Sequence, residues 1–154
     1  MNNDINPNTE ASKLYRELHK HFLLTKVLKD PVQININRKK ILILHKKWKE
    51  AVYAEIEGEF LPQLLPLFGK HTYQVILFDT SSALNISLAI LLTNYSVADY
   101  NRIMGQLYRL IEDYSDTHTC SVSTITVSYP LSQEHPLYSE ITAGTIIWQR
   151  SDSN

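Results

Sequence analysis

The chain has 154 residues and a mass of 17.8 kDa, the size of one domain with room for an extra helical arm. Hydrophobic residues make up 44% and charged residues 20%, enough for a normal core, and four Gly and six Pro exclude collagen-like or linker-dominated chains. The net charge of −1 conceals an imbalance, +6 over residues 1–50 against −7 over residues 51–154. A basic front half attracts phosphates or an acidic partner, or else is the solvated side of helices. No apolar run reaches the roughly 18 residues of a membrane span, and Met1-Asn2-Asn3-Asp4 has no basic-then-apolar secretory pattern. A single cysteine, Cys120, leaves no internal disulfide. The expectation is a cytoplasmic protein without membrane association.

Residues 1–9 are polar and read as a flexible tail, 10–58 as a helical segment and 59–150 as an α/β core. Leu14, Leu18 and Phe22 sit four apart, and Leu24, Val27 and Leu28 continue a helical stripe that Asp30-Pro31 ends. Val32, Ile34 and Ile36 alternate with Gln33, Asn35 and Asn37, the pattern of a short strand or extended connector. From about Arg38 a longer helix places Ile41, Leu44, Trp48, Val52 and Ile56 on one face, and Gly58 breaks it. Phe60–Phe68 is a further short helix limited by Pro62 and Pro66.

Residues 73–79 and 84–92 read as buried strands, joined by the hairpin-length Thr80, Ser81, Ser82 and Ala83. Ser96 with Asp99 three later marks a helix start, and Tyr100, Ile103, Met104, Leu107, Leu110, Ile111 and Tyr114 give an amphipathic face. Residues 120–129 alternate as a third strand, with the apolar phase slipping once at Thr124. A short helical turn over 136–142 and a last strand over Thr145–Trp148 follow. The fold class is α+β: N-terminal helices packed with a small mixed sheet.

After its third strand the chain carries Ser132, then His135-Pro136-Leu137-Tyr138-x-Glu140-Ile141-x-x-Gly144-x-Ile146-x-Trp148. This resembles the C-terminal end of the minimal nucleotidyltransferase domains of the polymerase β-like superfamily, and the upstream element order is similar to theirs over about residues 60–148. The resemblance implies a metal-dependent nucleotidyl transfer site. In the family a Gly-Ser pair after the first strand holds the triphosphate, and two Asp at i, i+2 on the second strand share one face and bind divalent metal. A third carboxylate comes from the third strand.

The sequence departs at each point. Phe78-Asp79-Thr80 stands where the family has Phe-Gly-Ser, and Asn85-Ile86-Ser87-Leu88 where it has Asp-Ile-Asp-Leu. The third strand holds no acidic residue. Neutral Asn and Ser cannot offset two dications and a triphosphate. The resemblance therefore implies a degenerate member with no cofactor, acting by binding a protein partner, itself or a nucleotide. The alternatives are an active transferase using Mg²⁺ and displaced acids, with Asp79 the candidate ligand, or a different α+β fold.

Lys39, Lys40, Lys46, Lys47 and Lys49 form the densest basic cluster, readable as a nucleic-acid or partner surface or as a solvated helix face. His19 and His21, two apart on a helix, face different directions, and His118 with Cys120 is too small a set for a metal site. Six of the nine tyrosines lie in the C-terminal half, a composition that suits an interface or self-association.

Overall fold

A computed structural model describes residues 5–79 and 85–151. The chain divides into two compact units, Met1–Gly58 with Asp116–Thr119, and Glu59–Ser115 with Cys120–Asn154.

The first unit is a helical hairpin of α1 (Glu10–Leu24) and α2 (Pro31–Glu55). Thr9 caps α1, its Oγ1 accepting from the Ser12 amide at 3.1 Å, and this satisfies an amide the first turn cannot use. Ahead of the cap, the Asn6 carbonyl accepts from Ser12 Oγ at 2.6 Å and the Pro7 carbonyl from Arg16 Nη1 at 2.8 Å. The helix ends at Leu24, short of Asp30-Pro31, where Thr25 Oγ1 donates to the Phe22 carbonyl.

The alternating segment 32–37 is helical, not a strand or connector. Asp30 is an N-cap and Pro31 sits at the first helical position, where its fixed φ and missing N–H cost nothing. Thus Asp30-Pro31 starts a helix, and this local signal overrides the period-2 pattern. Asn37 explains part of that pattern. It is buried, donates from Nδ2 to the His21 carbonyl at 3.0 Å and lies 2.8 Å from His21 Nδ1. A polar residue there ties α2 to α1. Farther along, Trp48 is fully buried and its indole donates to Thr119 Oγ1 at 2.9 Å.

Gly58 does not break the helix. It lies inside a π-helical turn, Ile56–Phe60, that leads into α3 (Leu61–Phe68). The stop comes at Gly69, whose φ of +55° suits a residue without Cβ.

The second unit carries a four-stranded sheet of β1 (Thr72–Phe78), β2 (Asn85–Leu92), β3 (Ser121–Ser128) and β4 (Thr145–Gln149) in the order β3-β2-β1-β4. β1 is antiparallel to β2 and β4, and β2 is parallel to β3. The connection 80–83 lies outside the described residues. A parallel pair needs a crossover, supplied by α4 (Val97–Thr117). Its start is as the sequence implies: the Asp99 amide donates to Ser96 Oγ at 3.1 Å, and that hydroxyl donates to Asp99 Oδ2 at 2.8 Å.

Both faces of the sheet are covered, which explains continuous apolar runs in β1 and β2. Ile76, Phe78, Ala89 and Leu91 pack with Ile141 of α5 (Tyr138–Thr142) and with Ile125, Val127, Leu131 and Leu137. On the other face Val75, Leu77, Leu88 and Ile90 are buried as well. The slip at Thr124 is therefore no bulge. β3 pairs with β2 without a register shift, and Val122 serves one face while Ile125 and Val127 serve the other.

Candidate functional site

Residues 85 and 87 share one face of β2, as strand geometry requires. Ser121 and Ser123 are their partners on β3. Ser123 Oγ donates to Asn85 Oδ1 at 3.1 Å, and Ser87 is only 4% exposed. All four side chains on this patch are neutral. Asp79 follows β1 and is exposed, while Thr80 lies outside the described residues. The patch can donate and accept hydrogen bonds, but it supplies no anionic oxygen of the kind a hard divalent cation needs.

The C-terminal motif has a structural explanation in this geometry. His135 organises the turn: its Nδ1 accepts from the Leu137 amide at 3.0 Å, and its carbonyl accepts from the Tyr138 amide at 3.0 Å. Ile141 is 1% exposed. Gly144 passes so close to β1 that an added Cβ would lie 2.6 Å from the Leu77 carbonyl oxygen and 2.8 Å from Ile76 Cγ2. These residues clamp the turn onto the sheet.

A second polar locality lies at the far end of β2 from Asn85, about 23 Å away at ~3.3 Å per residue. A cavity of about 240 Å³ opens there beside the start of α4, lined by Tyr95, Val97, Tyr100, Thr126 and Ser128 among others. It occupies the C-terminal edge of a parallel strand pair, a usual place for ligands in open sheets. Tyr95 is the centre of an aromatic group, with ring centroids 5.6 Å from Phe68, 5.5 Å from His71 and 6.2 Å from Tyr100. Burial pushes its phenol up from 10.0, and neighbouring Asp99 and Tyr100 add to this while Arg102 opposes it. Asp99 gives the α4 start a negative group, and Arg102 Nη2 lies 3.4 Å from its Oδ1. Sequence reasoning missed it, because Tyr95, Thr126 and Ser128 meet only through the crossover.

Arg150 is committed nearby. Its Nη1 donates to the Lys70 carbonyl at 3.1 Å and to Thr93 Oγ1 at 3.2 Å, and its guanidinium lies 5.0 Å over Tyr73. Tyr73 in turn stacks on Tyr129 at 3.9 Å.

The other sequence candidates separate. His19 is exposed beside Tyr15, whereas His21 is bound to Asn37. His118 is half-buried, with Thr117 Oγ1 2.9 Å from its Nδ1, and Cys120 is buried. Lys39, Lys40, Lys46 and Lys47 are exposed on α2, and Lys49 is half-buried. Comparison with family models, with curated proteins and with solved structures finds no match to this chain.

Proposed function

We propose that this chain is a nucleotidyltransferase-like domain that works by binding a protein partner and not by metal-dependent transfer. What supports this reading is the element order strand, strand, helix, strand, short helix, strand from β1 to β4. The observation that carries the loss of catalysis is the neutral patch of Asn85, Ser87, Ser121 and Ser123. Two-metal transfer relies on anionic oxygens to hold the cations that stabilise attacking and leaving groups. Amide and hydroxyl oxygens at these positions leave that charge uncompensated.

The test is a titration of Mg²⁺ or Mn²⁺ with each nucleoside triphosphate by calorimetry, beside an assay of label transfer. The expected result is no metal-dependent transfer. Transfer that disappears in Asp79→Ala would overturn the proposal and assign Asp79 as a displaced ligand.

A further inference from the structure

The helical hairpin leaves apolar surface uncovered. Leu23 is 50% exposed, Val32 64%, Leu42 67% and Ile43 57%. Leu23 belongs to α1 and Leu42 stands apart on α2, but Val32 and Ile43 share a face with Ile36, itself 41% exposed. At 100° per residue, Val32, Ile36 and Ile43 fall within about 40° of one another on α2. Ile41 and Trp48 lie on the opposite side of the helix, and Asn37 with its bonds to His21 marks the side that faces α1. Thus α2 carries two apolar stripes, one committed to the fold and one turned outward.

The outward stripe has a charged border. Lys39 and Lys46 run along one edge and Lys40 and Lys47 along the other, all four exposed. None of the four has an ion-pair partner among the described residues. The stripe from Val32 to Lys47 is about 22 Å long at 1.5 Å per residue, four turns of helix.

We infer that this face of α2 is a docking site for an amphipathic helix of an acidic protein, one with an apolar seam flanked by Asp or Glu. The inference rests on the binding reading above and names its surface and its partner's chemistry. A narrow seam with charges on both edges is the pattern of paired helices, where flanking charges select the partner. Lysine on both edges requires acid on both edges of the occupant. A second copy docking through the same stripe would set lysine against lysine. A membrane surface is matched by a broad apolar face, and here three aliphatic side chains make a narrow one. A nucleic acid has no use for the aliphatic seam, and Trp48, the nearest large aromatic, is fully buried.

The experiment uses the full chain and two synthetic amphipathic helices, each with leucine at heptad positions a and d. One carries glutamate at e and g, the other lysine. Fluorescence anisotropy is expected to show the glutamate peptide binding at least tenfold tighter than the lysine peptide. Ile43→Glu, an exposed change that leaves the fold intact by circular dichroism, should weaken the glutamate peptide tenfold or more. The charge-reversed Lys40→Glu/Lys47→Glu should lose preference for that peptide and gain affinity for the lysine peptide. Equal affinity for the two peptides, or no binding to either, overturns the inference. So does binding to phosphatidylserine vesicles or single-stranded DNA that Ile43→Glu leaves unchanged, with no peptide preference. The label-transfer assay reads residues on β1 and β2, so its outcome and that of the peptide assay are separately legible.

Discussion

Gly144→Ala probes the contact that makes the C-terminal turn fit the sheet. The new Cβ would sit 2.6 Å from the Leu77 carbonyl oxygen, 2.8 Å from Ile76 Cγ2 and 3.0 Å from Phe78 Cβ. Ile76 can adjust its side chain, but the Leu77 carbonyl cannot easily move. Leu77 is paired to Leu88 of β2 on one side and Thr145 of β4 on the other. Overpacking of this kind costs about 1–3 kcal/mol. The smaller entropy of an unfolded chain with Ala returns about 0.4–1 kcal/mol. A net loss of about 1–2 kcal/mol is expected, or ~2–8 °C in Tm at about 2–4 °C per kcal/mol for a chain of this size. Gly105→Ala is the matched control. Gly105 lies in the interior of α4 with nothing within 4 Å of its added Cβ, so helix propensity predicts a gain of roughly 1 kcal/mol. Urea unfolding of the three proteins decides the matter. A Gly144→Ala chain as stable as the parent, or both variants shifting in the same direction, would refute the close-approach argument.

Three further predictions concern single contacts. Asn37→Ala removes both contacts with His21, leaving its carbonyl only the Thr25 amide and its Nδ1 without the Asn37 oxygen, so unfolding should show a loss of about 1–3 kcal/mol; amide exchange in α1 should rise with it. Ser96→Ala removes the cap hydroxyl that both accepts from and donates to Asp99, and a loss of about 1 kcal/mol is expected by thermal unfolding. Tyr95, its phenol raised by burial first and by Asp99 next, should ionise above the ordinary phenol value of 10.0 in an absorbance titration compared with Tyr95→Phe. A raised phenol holds its proton longer in the folded chain than in the unfolded one, so stability falls as pH climbs from about 10 through the folded value. Tyr95→Phe should remove that alkaline decline, and an unchanged decline would count against the assignment.

The sheet and its crossover were legible because their signals are local and redundant. Continuous Val, Ile and Leu runs gave β1 and β2, and Ser96 with Asp99 fixed the start of α4 by chemistry that the structure retains. Two misreadings have one cause, namely that a strong local sign was taken in isolation. Val32–Asn37 alternates like a strand, yet Asp30 and Pro31 together nucleate a helix and Asn37 is needed inside. Gly58 reads as a breaker, yet a π-turn absorbs it and the positive φ falls at Gly69 instead. The aromatic cavity at Tyr95 has no sequence signature, since its lining comes from the ends of two strands and a helix start. The outward stripe of α2 was hidden for another reason: its three residues were divided between an expected strand and a helix.

The neutrality of Ser87 can be tested against the fold as well as against catalysis. A carboxylate at position 87 would be held by a metal in an active relative of the kind the resemblance implies. Here Ser87 is 4% exposed and faces Ser123 across the parallel pair, so Ser87→Asp would place a charge among hydroxyls and aliphatic neighbours. An unpaired buried charge costs on the order of 3 kcal/mol. Desolvation would raise the pKa of the new group above its unfolded value. The destabilisation should then be full at neutral pH and fade as pH drops through the raised folded value and toward the unfolded one near 4. Urea unfolding at two pH values reads this directly, and equal stability of variant and parent at neutral pH would contradict it. The double change Asn85→Asp/Ser87→Asp adds the second arm of the dyad. If the sheet retains nucleotidyltransferase geometry, Mn²⁺ should recover part of the lost stability, because a cation that binds only the folded chain stabilises it. Mn²⁺ without effect on the double variant would separate this sheet from that family, while leaving the cost of the buried charge as it stands.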